Sequence, residues 1–153
     1  MPEPAPDARL GLTITRVLAA PRERVWREWT EPERFGGWFG GPEAEVPLDT
    51  VAMDVRPGGA WRATMLVGPE RREIRWSGEY REVDPPARLV LTISDLPDGA
   101  KPELVVVLLA ELRDGRTEMT VEQHGTMSPE AYDAARSGWG AFLDRIAAGL
   151  AAG

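Results

Sequence analysis

The stretch SPEAYDAARSGWGAFLDRIAAGL, residues 128–150, indicates a long helix against which the rest of the chain must pack. Ser128 is a preferred helix-capping residue, and Pro129 suits the first helical position, where no amide hydrogen is needed. Apolar side chains then recur from Tyr132 to Leu150 at the three- and four-residue spacing of one helix face. The pattern predicts a helix over residues 129–151.

The sequence before this helix consists mainly of strands and turns. Residues 10–18 favour a strand, and Pro21 and Pro32 each suit the start of a short helix. Further on, Gly58-Gly59 and Asp114-Gly115 are typical of hairpin turns. About six strands in succession follow the short helices, as in an antiparallel meander. The order predicts an α+β protein in which the long helix packs on one face of the sheet.

The length of 153 residues fits one domain, and 42 % apolar and 28 % charged residues are ordinary for a globular protein. We expect a flexible, proline-rich tail over residues 1–8 and a single folded domain over residues 9–153. The N-terminus lacks the basic start and apolar run of a secretory signal, and no stretch is long enough to cross a bilayer. A cytoplasmic protein without membrane insertion is therefore expected.

The composition argues against several classes of function. Cysteine is absent and His124 is the only histidine, which excludes thiolate nucleophiles, cysteine-ligated metals and two-histidine zinc motifs. The net charge of −7 opposes binding to phosphate backbones. The glycine-rich run at residues 36–41 lacks the Lys-Ser/Thr ending of a phosphate-binding loop. We expect no metal, no cofactor and no nucleic-acid partner.

A collinear set of short motifs covers residues from about 10 to 150. The motifs are Leu12-Thr-Ile-Thr-Arg16, Ala20-Pro-Arg-Glu-Arg-Val-Trp26, Thr30-Glu-Pro-Glu33, Trp38, Asp54-Val-Arg-Pro-Gly-Gly59, Gly78-Glu-Tyr-Arg-Glu-Val-Asp-Pro-Pro-Ala-Arg-Leu89 and Gly138-Trp139. Together they resemble the helix-grip superfamily of START and birch-pollen-allergen-like domains. Within it they resemble the subfamily named after the activator of the ninety-kilodalton heat-shock chaperone's ATPase.

The resemblance implies a strongly curved antiparallel sheet of about six or seven strands, wrapped around the long C-terminal helix. Two short helices follow the first strand. A cavity between the sheet and the long helix often receives an apolar small molecule in this superfamily. Fold membership transfers this shape better than it transfers any chemistry.

Strand alternation predicts which side chains face that cavity. Glu118 and Glu122 should face water, so Met119, Val121 and Gln123 on the same strand should point inward. The aromatic residues among the predicted cavity residues either line a ligand pocket or simply fill the core. The predicted cavity residues are Trp38, Phe39, Met53, Trp61, Met65, Trp76, Tyr80, Leu91, Ile93, Met119, Val121, Gln123, Trp139, Phe142, Leu143 and Ile146.

Two further features have more than one interpretation. Residues 104–109 are all apolar, which suits a strand buried on both faces. If the outer sheet face is open instead, Val105, Val107 and Leu109 predict a homodimer interface. Gly138 and Gly140 lie inside the long helix, where close helix–sheet packing around Trp139 is the favoured explanation and close approach to a ligand the alternative.

Three functions remain for a protein of this kind. The leading hypothesis is a non-enzymatic module that binds a small hydrophobic or aromatic molecule, oriented by Tyr80 and Gln123. The family name suggests a chaperone cofactor that stimulates an ATPase. The third hypothesis is a cyclase- or hydrolase-type enzyme that uses the same cavity, with Tyr80, Gln123 and His124 as its polar residues.

Overall fold

The computed structural model describes residues 10–152, so the expected tail over residues 1–8 lies outside the described residues. Eight strands and three α-helices follow one another along this part of the chain. They are β1 (Leu10–Leu18), α1 (Arg22–Thr30), α2 (Pro32–Trp38), β2 (Ala44–Glu45), β3 (Ala52–Met53), β4 (Ala60–Val67), β5 (Arg72–Asp84), β6 (Arg88–Ile93), β7 (Glu103–Glu111), β8 (Thr117–Gly125) and α3 (Pro129–Ala152).

The strands form one antiparallel sheet in the order β1-β8-β7-β6-β5-β4-β2, with β3 also paired to β4. The predicted α+β class with a long C-terminal helix is therefore confirmed. The strand number exceeds the expected six or seven because Ala44 and Glu45 pair with the end of β4. A two-residue strand carries no alternation that a sequence pattern could reveal.

The long helix begins and ends almost where the sequence predicts. The Ala131 amide donates to Ser128 Oγ at 3.1 Å, as expected of a capping serine. The apolar face of α3 is buried against the sheet. On the polar side of the helix, Arg136 Nη1 donates to the Thr13 carbonyl at 2.8 Å. Thr13 lies on β1, the edge strand that pairs with β8. The buried residues of the helix are Tyr132, Trp139, Leu143, Ile146 and Leu150.

Strand β7 corrects one prediction. Val105, Val107 and Leu109 are at most 3 % exposed within the single chain, so the homodimer surface predicted for them is wrong. The reason is register, because Val105 pairs with Gln123 and Val107 pairs with Val121. Directly paired residues point to the same face of a sheet, and that face of β8 lies in the core.

Among residues 10–152, no helix is long and apolar enough to cross a membrane.

Candidate functional site

A cavity of about 670 Å³ lies between α3 and the ends of β6, β7 and β8. Apolar rings form one wall, polar side chains form the inner end, and the loop between β6 and β7 forms the rim. Its lining residues are Phe39, Trp76, Ile93, Ser94, Asp95, Leu96, Lys101, Glu103, Gln123, Thr126, Met127, Ala131, Ala135, Gly138, Trp139 and Phe142.

Four aromatic rings make the apolar wall. The centroid of Phe39 lies 5.9 Å from that of Trp76 and 5.5 Å from that of Phe142. Phe142 in turn lies 5.6 Å from Trp139, at an interplanar angle of 69°. Edge-to-face arrangements, as between Phe39 and Trp76 and between Trp139 and Phe142, are favourable contacts between aromatic rings. The wall is therefore a packed apolar surface.

A second aromatic group lies behind the wall and fills the core. Trp29 packs on Trp38 at 4.7 Å and on Trp139 at 6.0 Å between ring centroids. Phe35 packs on Trp38 at 4.9 Å and on Trp61 at 5.6 Å. One set of rings thus lines the cavity, and a different set fills the core.

The inner end of the cavity is a hydrogen-bonded chain of buried polar side chains. Trp139 Nε1 donates to Gln123 Oε1 at 2.8 Å, and Gln123 Nε2 donates to Glu103 Oε1 at 3.3 Å. The Tyr132 hydroxyl donates to the same Glu103 oxygen at 2.7 Å, and the Thr126 amide donates to Glu103 Oε2 at 3.3 Å. Glu103 is 9 % exposed and Gln123 is 7 % exposed. A fixed polar group is thus held at the end of an apolar cavity.

Strand geometry explains why Glu103 and Gln123 meet. Glu103 has the same parity on β7 as the buried Val105, and Val105 pairs with Gln123 on β8. Both side chains therefore point from the same face toward α3. Gly125 completes the site, because a Cβ at this position would overlap the Glu103 carboxyl group.

The rim comes from residues 94–101, which connect β6 to β7. Ser94 holds the base of this loop, since its hydroxyl donates to the Ala100 carbonyl and accepts from the Leu96 amide at 3.2 Å. Asp95, Leu96 and Lys101 are exposed at the mouth, where Leu96 is 42 % exposed.

Gly138 opens the helix side of the cavity. A Cβ built at Gly138 would meet nothing within 4 Å, and one at Gly140 would meet only Arg16 Nη2, at 3.8 Å. Close helix–sheet packing, the favoured explanation for these glycines, is therefore wrong. Gly138 instead leaves space along the cavity wall.

Six of the sixteen predicted cavity residues line this cavity: Phe39, Trp76, Ile93, Gln123, Trp139 and Phe142. The other ten lie outside the lining and belong to the core or pack against it, because most inward-facing side chains pack against one another rather than beside the cavity. They are Trp38, Met53, Trp61, Met65, Tyr80, Leu91, Met119, Val121, Leu143 and Ile146.

The sequence analysis missed Glu103, Ser94, Asp95, Leu96 and Lys101. The parity of β7 is the signal that could have found Glu103. Assigning Val105 and Val107 to the inner face also assigns Glu103 to it. The loop residues belong to no periodic pattern, so the sequence carries no comparable signal for them.

The three polar residues considered for catalysis do not come together. Tyr80 is 1 % exposed, its hydroxyl has no hydrogen-bond partner among the described residues, and it does not line the cavity. Burial, together with the negative charge of Asp54, raises the pKa of the Tyr80 hydroxyl well above its usual range. His124 has the opposite strand parity to Gln123 and contacts Glu122 Oε1 at 2.7 Å.

No group of three or more His, Asp or Glu side chains that could hold a metal ion occurs within residues 10–152.

An open antiparallel sheet packed on a long C-terminal helix, with two short helices after the first strand, is the arrangement of the helix-grip class of proteins. The sequence model of one family, described as "Activator of Hsp90 ATPase homolog 1-like protein", matches residues 19–151. The chain belongs to this family. The comparison with curated proteins finds no match.

Solved structures show the same fold. Protein CV1439 from Chromobacterium violaceum is 27 % identical over 90 % of this chain and 95 % of its own, with a TM-score of 0.80. Protein NE0264 from Nitrosomonas europaea is also 27 % identical, over 90 % and 91 % of the two chains, with a TM-score of 0.75. The AHSA1 (SPO3351) protein from Silicibacter pomeroyi, 21 % identical over 93 % and 98 %, has a TM-score of 0.82 and supports the fold alone.

Proposed function

We propose that the protein is a binding module for a small hydrophobic or aromatic molecule, held in the cavity between the sheet and α3. The observation that carries the proposal is a cavity of about 670 Å³ with an aromatic wall and a buried polar end. Small-molecule sites are typically about 300–1,000 Å³, mostly apolar, with a few polar groups that fix orientation. Phe39, Trp76, Trp139 and Phe142 would contact the apolar body of the ligand.

Gln123 would orient the ligand, as its inward-facing position on β8 suggests. Its Oε1 accepts from Trp139 and its Nε2 donates to Glu103, so the amide is held in one orientation. Tyr80, the other residue considered for this role, contributes to the core instead. Ile93 adds apolar surface at the end of β6.

Titration with flat hydrophobic compounds tests the proposal. Binding should quench tryptophan fluorescence and raise the melting temperature, because a ligand that binds only the folded state stabilises it. Trp139→Ala should weaken binding by about 1 to 3 kcal/mol, because the ligand loses contact with the apolar surface of one ring. Trp76→Phe should weaken binding less, because a smaller ring remains.

Trp26→Phe is the control, since Trp26 packs against the core but is not part of the cavity lining. It should leave the affinity unchanged. A broad panel of flat compounds that changes neither fluorescence nor melting temperature in the wild-type protein would overturn the proposal.

The other functions have less support. The chaperone-cofactor function rests on the family description alone. An enzyme built on Tyr80, Gln123 and His124 is disfavoured because their side chains do not converge. The net charge of −7 supports a protein that does not bind nucleic acid. A cytoplasmic location fits the absence of cysteine and stays a proposal.

A further inference from the structure

We infer that the ligand of the cavity carries a positively charged amine, and that the Glu103 carboxylate binds it while the aromatic wall holds the apolar body. The inference rests on the proposed function and names the chemical class of its ligand.

Glu103 acts only as an acceptor in the hydrogen bonds that it makes. Oε1 accepts from the Tyr132 hydroxyl and from Gln123 Nε2, and Oε2 accepts from the Thr126 amide. A carboxylate offers about four acceptor sites. Among residues 10–152 the Thr126 amide is the one donor to Oε2, so Glu103, which lines the cavity, keeps acceptor capacity.

All three of these donors are neutral. Within the described part of the chain, Glu103 forms no ion pair with a lysine, arginine or histidine. Glu103 is 9 % exposed, and burying a carboxylate costs free energy of desolvation unless a cation accompanies it. A cation that enters with the ligand supplies the charge that the protein itself does not place there.

The hydrogen-bond donors around Glu103 are also directed toward its carboxylate. Trp139 donates to Gln123, and Gln123 donates to Glu103, so successive hydrogen bonds run toward the carboxylate. Such a chain stabilises a negative charge at its end and orients the carboxylate for a donor on the ligand.

Two other charged residues, Asp95 and Lys101, lie on the cavity rim. Both are exposed, so water screens them more strongly than it screens Glu103. Lys101 would favour an anionic ligand, but it lies at the wet mouth rather than at the buried end. The net charge of −7 adds a weak long-range attraction for cations.

Three naphthalene probes that differ in one substituent test the inference. They carry an aminomethyl group (cationic at neutral pH), a hydroxymethyl group (neutral) or a carboxylate (anionic). In the wild-type protein, the aminomethyl probe should bind at least about tenfold more tightly than the hydroxymethyl probe, because hydrogen bonds to charged groups are stronger than neutral ones. The carboxylate probe should bind most weakly.

Glu103→Gln should remove the preference for the aminomethyl probe and leave the affinity for the hydroxymethyl probe within about threefold. The glutamine is nearly the same shape, and melting temperatures report whether the variant folds. Glu111→Gln is the matched control, since Glu111 is exposed at the other end of β7 and should not change the preference.

The wild-type comparison decides the matter even if Glu103→Gln does not fold. If the hydroxymethyl probe binds as tightly as the aminomethyl probe, or the carboxylate probe binds most tightly, the inference is wrong while the proposed function stands. If no naphthalene probe binds although other flat compounds of the panel do, the inference is wrong and the proposed function stands; if no compound of the panel binds, both are wrong.

Discussion

Glu28 is a buried carboxyl group outside the cavity, and it makes the stability of the protein depend on pH. The residue is 7 % exposed, and its Oε2 lies 3.3 Å from Arg34 Nη1. Burial raises the pKa of Glu28 above its usual value, and the hydrogen bond from Arg34 only partly offsets this effect. The folded protein therefore holds a proton on Glu28 over a pH range in which the unfolded chain has released it.

We predict that Glu28→Gln removes this pH dependence. As the pH rises from the usual glutamate pKa to the raised one, wild-type folding stability should fall relative to the variant, because the folded state binds more protons. Above the raised pKa the difference should become constant. Denaturant unfolding at a series of pH values between about 4 and 7 measures it.

Glu33→Gln is the control for this experiment, because Glu33 is exposed on α2, close to Glu28 in the chain. Its stability profile should follow that of the wild-type protein. Wild-type stability that rises relative to that of Glu28→Gln as the pH increases would contradict the assignment.

The elements of the protein were predictable from sequence where their signals are local. Ser128-Pro129 predicted the start of α3, which begins at Pro129. Gly58 and Gly115 both adopt positive φ angles, 84° and 85°, as tight turns require. Each signal depends only on neighbouring residues, so tertiary packing does not change what it indicates.

Strand β7 shows where that predictability ends. Residues 104–109 are apolar at both parities, so the pattern does not distinguish the inner face from the outer face. Pairing with β8 makes the choice, and pairing is a property of the folded sheet. The same ambiguity concealed Glu103, the central polar residue of the candidate site.

Helix α3 carries the second prediction, at Gly138. Gly138→Ala should stabilise the protein by about 0.5–1 kcal/mol, because alanine is the better helix former and its Cβ meets nothing within 4 Å. The added methyl group enters the cavity, so the same substitution should weaken binding of the naphthalene probes. Thermal unfolding and fluorescence titration measure the two effects separately.

Gly140→Ala is the matched control on the same helix, since Gly140 is not part of the cavity lining. It should bring a similar gain in stability without a loss of affinity. Equal effects of the two substitutions on binding would show that the space beside Gly138 is not used by the ligand.

At the scale of the whole molecule, the aromatic cluster joins elements that are distant in sequence. Trp29 on α1 contacts Trp38 on α2 and Trp139 on α3, and Phe35 on α2 contacts Trp61 on β4. Losing one of these elements therefore removes packing from the others. The helices and the sheet share one core rather than forming separate units.

We predict a single cooperative unfolding transition as a consequence. Far-ultraviolet circular dichroism, which follows α3 and the sheet, and tryptophan fluorescence, which follows the aromatic cluster, should give the same midpoint. Separate midpoints for the two signals would show that α3 leaves the sheet before the core unfolds.

The close spacing of the tryptophans also determines what happens to absorbed light. Indole rings whose centroids are 4.7 Å and 6.0 Å apart, as in the pairs Trp29–Trp38 and Trp29–Trp139, exchange excitation energy faster than they emit it. An excited state created on Trp38, deep in the core, can thus reach Trp139 at the cavity wall. A bound molecule that accepts energy from Trp139 alone would therefore quench the fluorescence of all three rings. The fluorescence of the buried cluster would then report whether the cavity is occupied.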